Sequence, residues 1–114
     1  QIYLMIDLSY LRVTTNDDKE LIAQLIGIFT DQLPELEQDI KHSFDSKNWD
    51  SLMQAAHKAK NSFEMMGIQD QAIELKRIEL LAIEAKDSTE LGSLIEKFFY
   101  TSKLVREEIK NLQI

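Results

Sequence analysis

The chain has 114 residues, of which 44% are hydrophobic, with three glycines, one proline and a formal net charge of −7. It suits one domain with one core, being too apolar for disorder and too poor in turn formers for a β-sandwich. The charge argues against DNA or RNA as a partner, since phosphate recognition needs a cationic face.

Residues 2–13 are rich in apolar side chains, and Asp7 is placed to cap a short helix over 8–13. The rival, a strand over 2–6, has no partner strand. Asn16 or Asp17 is the expected cap of the next helix, and Asp17, Asp18 and Glu20 load its first turn with the charge the helix dipole favours. Leu21, Ile22, Leu25, Ile28, Phe29, Leu33, Leu36, Ile40 and Phe44 carry a helical period to about residue 45. The stripe keeps its phase across Pro34, so one kinked helix over 17–45, roughly 43 Å long, is predicted rather than two.

After the turn Ser46-Lys47, Asn48 caps a helix that Trp49 opens. Leu52, Ala56, Ala59, Phe63 and Met66 recur at steps of three and four and form its apolar stripe. His57 lies one position, about 100°, off the middle of that stripe. Its backbone is therefore anchored by packing while its ring reaches solvent. Met53, Gln54, Lys60, Asn61 and Glu64 share its flank. Gly67 ends the helix as a C′ glycine.

A third long helix is predicted over 69–86, with Ala72, Leu75, Ile78, Leu81 and Ala85 inside. Lys86-Asp87-Ser88 is the next turn, with Asp87 or Ser88 as cap and Glu90 as a partial capping box. The last helix, over 89–112, is expected to bury Leu91, Leu94, Ile95, Phe98, Val105, Ile109 and Leu112. Four long amphipathic helices with short connections make an antiparallel up-down four-helix bundle. With the short extra N-terminal helix, the expectation is a single all-α domain over 1–114.

Three further exclusions follow from composition. There is no cysteine, hence no disulfide framework and no thiolate zinc site, which fits a reducing cytoplasm. No apolar run approaches the ~20 residues of a membrane span, and Ile2–Ile6 lacks the basic flank of a signal peptide. The chain begins at Gln1, not Met, as a segment of a longer protein would.

His57 with Lys60 is the leading chemical constellation. Phosphoryl chemistry on histidine needs a neutral ring nitrogen exposed for in-line attack and a ring held still. A helix flank beside a packed stripe offers both. Lys60, one turn on, can lie beside the phosphoryl group, and Lys58 is a less well placed second cation. Two unit charges about 5 Å apart attract by roughly 3 kcal/mol at an effective dielectric of ~20, but exposed pairs keep only ~0–1 kcal/mol. Lys60 is therefore expected to orient the group rather than store its energy. The plain alternative is a surface histidine on an ordinary bundle.

A metal site is not expected. Ferritin-like bundles need Glu-x-x-His, whereas Gln54 precedes His57 at that spacing and Asp39 precedes His42. His42 reads as a solvated residue. The 20 acidic residues read as a solvated surface with no isolated buried pair. No Walker or other glycine-rich phosphate loop exists, so phosphoryl groups must come from another protein. Met66 reads as core, and Met53 as either core packing or an apolar patch for a partner.

These residues resemble a known family. The order of elements is similar to the histidine-containing phosphotransfer (HPt) domain of two-component phosphorelays. Asp7-Leu8-Ser9-Tyr10-Leu11 resembles its short N-terminal helix, and Phe29 the phenylalanine of its first bundle helix. Asn48-Trp49, then Ala56-His57, resemble its turn-then-histidine spacing. His57, Lys60, Asn61-Ser62 and Gly67 resemble its motif, and Ile78-Glu79 the Leu-Glu pair of its third bundle helix.

The resemblance implies that His57 is the phosphoacceptor and that Lys60 assists. It implies a partner receiver domain, of a response regulator or a hybrid sensor histidine kinase, whose aspartate exchanges the phosphoryl group. Magnesium would belong to that receiver, so no cofactor is expected here. Met53, Gln54, Lys58, Asn61 and Glu64 would face the partner, and Gly67 would be structural. A monomer is expected.

Three positions depart from the pattern: Ala59 replaces a usual leucine, Asn61 a frequent glycine, and Phe63 a small residue. Asn61 adds bulk at the dock and bears on partner choice, and Phe63 is expected to be buried. The alternative function is an adaptor that docks on a receiver or kinase without being phosphorylated.

Overall fold

The structure, a computed structural model, describes residues 5–112. Residues 2–4 of the apolar N-terminal stretch lie outside these, so the rival strand over 2–6 cannot be followed there. The helices are α1 (Leu8–Thr14), α2 (Lys19–Asp45), α3 (Trp49–Met65), α4 (Gln69–Ile83) and α5 (Thr89–Lys110). There is no strand among the described residues. α2 packs on α3 and α5, and α4 packs on α3 and α5, closing a four-helix ring on which α1 sits against α2.

Four of the helices start where a short polar side chain accepts a backbone N–H. Asp7 accepts from Tyr10, Asp18 from Leu21, Asn48 from Ser51 and Ser88 from Leu91. The cap of α2 is therefore Asp18, not Asn16 or Asp17. Those two have φ of 56° and 59° and belong to the end of α1, because Asn and Asp tolerate left-handed backbone. Glu90 is not part of a capping box. Its carboxylate takes two hydrogen bonds from Arg77, at 2.8 and 2.9 Å, which tie α4 to α5.

All four inter-helix turns are Schellman motifs. The left-handed C′ residues are Asn16, Lys47, Gly67 and Ala85. In each, the C′ amide donates to the second-last helical carbonyl and the next amide to the third-last, as Gly67→Glu64 and Ile68→Phe63 do, both at 3.0 Å. Ala85 is thus exposed in a turn rather than on the inner stripe of α4, and α4 stops at Ile83 instead of 86. The last helix likewise ends at Lys110, not 112.

α2 runs unbroken through Pro34, whose ring lies on the exposed face. Its buried stripe is Ile22, Ile26, Phe29, Leu33, Leu36, Ile40 and Ser43. Leu21 and Ile28, expected inside, are exposed because each lies one position off that stripe, and Leu25 and Phe44 are half-buried. In α5 the buried Ser102 donates to Glu37 at 2.6 Å, and Arg106 pairs with the same carboxylate. Leu94, Ile109 and Leu112 are only partly buried.

Phe63 is fully buried at the bundle centre. Its ring lies 5.3 Å from that of Phe29 on α2, edge to face, and 5.9 Å from that of Phe98 on α5. Beside it on α3, Ala55, Ala56 and Ala59 are buried, and small residues let helices approach closely.

Two turn residues make opposite demands. Gly67 has φ of 72°, and an added Cβ would come 2.7 Å from Asp7 Cβ. Gly67→Ala should destabilise by about 1–3 kcal/mol. Ala85, with φ of 52°, bears the strain a glycine would relieve, so Ala85→Gly should stabilise by about 0.5–1 kcal/mol. Urea unfolding of both variants measures the two effects, and equal signs would contradict the turn geometry.

Candidate functional site

His57 projects from the middle of α3 with its side chain 52% exposed. The capped start at Asn48 and the packed Ala56 and Ala59 on either side hold its backbone. Its Nδ1 lies 2.8 Å from Oε1 of Glu79 on α4, whose side chain is only 7% exposed. The other oxygen, Oε2, accepts from Lys76 Nζ at 2.9 Å.

Burial pushes the Glu79 carboxyl up, but the hydrogen bond from Lys76, then the bond to His57 and the charges of both, outweigh it. The net result is a carboxyl held below its ordinary range, hence ionised at neutral pH. An ionised carboxylate can only accept. Nδ1 must therefore carry the shared proton, and in the neutral ring Nε2 keeps its lone pair. The arrangement is a half-exposed imidazole with one fixed tautomer and a nucleophilic nitrogen free of Glu79.

The sequence marks Glu79 only as half of the Ile78-Glu79 pair of the resemblance and gives it no role, while the carboxylates as a whole read as a solvated surface. That reading is corrected by a carboxylate on the buried side of α4. The available signal was its place next to Ile78 on the inner stripe, where an unpaired acid is costly.

The other expected site residues divide over two flanks. Lys60 is half-buried one turn beyond His57, and the group in contact with the ring is Glu79. Met53 is half-buried and packed against the core. Gln54 and Lys58 line a groove between α2 and α3 with Asp39 and His42, and Gln54 also donates to Asp50 at 3.0 Å. Asn61 and Glu64 are exposed, and His42 is exposed as expected. A second groove between α2 and α3, lined by Leu25, Ile28, Gln32, Ser62 and Met65, leaves Ile28 and Met65 each 53% exposed. No group of three or more His, Asp or Glu among the described residues is placed to hold a metal ion. No helix among them is long and apolar enough to cross a membrane.

An antiparallel helical ring with a half-exposed histidine in mid-helix defines the class of the histidine phosphocarriers. The family model described as Hpt domain matches residues 24–113, and the chain belongs to that family. Hpt domains carry phosphoryl groups on histidine in phosphorelays and have receiver or kinase partners; they are phosphocarriers and not enzymes with a catalytic site of their own. No curated protein and no solved structure matches the chain.

The lowered Glu79 carboxyl has a consequence for stability. Its folded-state value lies below the unfolded one, near 4.5, so its contribution is complete above that pH and is lost as the pH falls toward the folded value. The stability difference between the parent and Glu79→Gln should therefore shrink as the pH is taken down through and below that unfolded value. Urea titrations at several pH values test this, and a difference that grows on acidification would contradict it.

Proposed function

We propose that His57 is the phosphoacceptor of this Hpt domain, taking a phosphoryl group from the aspartate of one receiver domain and giving it to another. The observation that carries the reading is the contact of Nδ1 with the buried, ionised Glu79, which leaves Nε2 as the outward nucleophile on a ring that does not rotate freely.

In the step, the Nε2 lone pair attacks phosphorus. The N–P bond forms as the P–O bond to the aspartate breaks, and the aspartate leaves as a carboxylate. The Nδ1 proton stays on the ring, which becomes cationic, and Glu79 faces that charge as it develops. Lys60, one turn on, orients the phosphoryl oxygens. The magnesium ion that receiver chemistry uses is held by the partner, and the chain itself contributes no cofactor. The reverse reaction delivers the group to the next receiver.

The docking face takes in Gln54, Lys58, Asn61 and Glu64 around the ring. We extend it to the apolar groove of Leu25, Ile28 and Met65, since exposed large apolar side chains side by side suit a protein contact. The partner is a response-regulator receiver domain, free or within a hybrid sensor kinase, met in the cytoplasm by a monomeric carrier.

A phosphorylated receiver should label the chain, with a label that is acid-labile, alkali-stable and absent from His57→Gln. A label that survives His57→Gln would overturn the assignment. Lys60→Ala should slow transfer by about fivefold, which matches the ~1 kcal/mol that an exposed ion pair supplies at most. Stopped transfer time courses read this directly, and an unchanged rate removes Lys60 from the site.

A further inference from the structure

The histidine contact uses one oxygen of Glu79, and the fate of the other decides what the first can do. With a side chain 7% exposed, Oε2 would be a desolvated, uncompensated half of an anion if it stood alone. Lys76, one turn earlier on α4 and 47% exposed, closes it at 2.9 Å. The groups facing Glu79 are thus His57 from α3 and Lys76 from its own helix. The antiparallel pairing that sets His57 opposite Glu79 sets Lys60 opposite Lys76, three residues on in α3 and three back in α4. Lys60 is therefore the next charge along. Lys58 lies on the other flank of α3, with Asp39 and His42 across the groove.

We propose that Lys76 is a positioning residue for His57: its ammonium on Oε2 keeps Glu79 a pure acceptor, so that Oε1 takes the Nδ1–H and Nε2 stays bare. The proposal rests on His57 being the phosphoacceptor and adds to it a residue that does not touch the ring.

Removal of the ammonium leaves two ways to compensate the buried anion. Glu79 can bind a proton and donate it to Nδ1, which fixes the opposite tautomer with the hydrogen on Nε2. Alternatively the ring binds the proton and pairs with the carboxylate as an imidazolium, again with hydrogen on Nε2. Both routes are proton uptake and both block the same lone pair. Loss of Lys76 is therefore a defect that alkali repairs. A packing or folding role for the lysine stem would slow the reaction equally at every pH.

The experiment uses the full chain and phosphoramidate, a small phosphodonor that needs no receiver. The Nε2 lone pair forms the N–P bond as the P–N bond to ammonia breaks and ammonia leaves. Lys76→Met should be labelled about tenfold more slowly than the parent near pH 6.5 and at the parental rate above about pH 9, an upward displacement of the acidic limb by about one pH unit. Lys76→Arg should keep the parental profile. In a Glu79→Gln background, Lys76→Met should have no further effect.

A Lys76→Met profile that is unshifted, or lowered by one factor at all pH values, overturns the proposal, as does a shift that persists with Glu79→Gln. A parent labelled by phosphoramidate but by no receiver refutes the relay role alone. A parent that phosphoramidate does not label overturns both readings.

Discussion

The contact between Glu79 and His57 is the interaction on which the site depends, and it constrains the fold beneath it. A carboxylate on the inner side of a helix is tolerated only if both oxygens are satisfied. Here a ring nitrogen takes one and an ammonium the other. The ring reaches the carboxylate across the seam where α3 packs on α4, with the small, buried Ala56 and Ala59 next to it in α3. Ala59, which departs from the family's usual leucine, is fully buried there. Phe63, another departure, fills the space next along the bundle centre between Phe29 and Phe98.

Much of this fold was legible in the sequence because the evidence was local. Apolar periods of three and four located the long helices, and Asp7, Asn48 and Ser88 announced their starts by chemistry that acts over three residues. The ends were harder. Only Gly67 advertises a left-handed turn, whereas Asn16, Lys47 and Ala85 adopt the same conformation without glycine. Their turns are imposed by the two closing hydrogen bonds and by packing of the flanking helices, which no single residue type encodes. Leu21 and Ile28 show the other weakness: a helical stripe tolerates a one-residue drift, and an apolar side chain at its edge looks the same inside or out.

The site was half legible for the same reason. His57 stood out because its place on a helix flank follows from its own neighbours. Its contact with Glu79 joins positions 22 residues apart. The sequence sets that carboxylate apart by its place beside Ile78, in the pair that resembles the family's, but carries no sign that it reaches His57. Met53, readable either way, packs on the core, whereas Met65 at the end of α3 is exposed. That outcome is set by the neighbouring helices, not by the spacing within α3.

The close-packed bundle behind His57 bears on how a loaded carrier is told from an empty one. On the proposed reading, the new bond forms on the outward nitrogen while the inward one is already tethered, with Ala56, Ala59 and Phe63 filling the space behind. Loading then alters electrostatics and leaves shape nearly alone. On a molecule whose formal net charge is already −7, a dianionic phosphoryl group on a ring that has itself become cationic barely changes the far field. Screening cuts off what remains within about 8 Å at physiological salt. Discrimination must therefore operate at touching distance. A partner that samples only the outer slopes of the bundle cannot know whether it has met a charged messenger or a spent one.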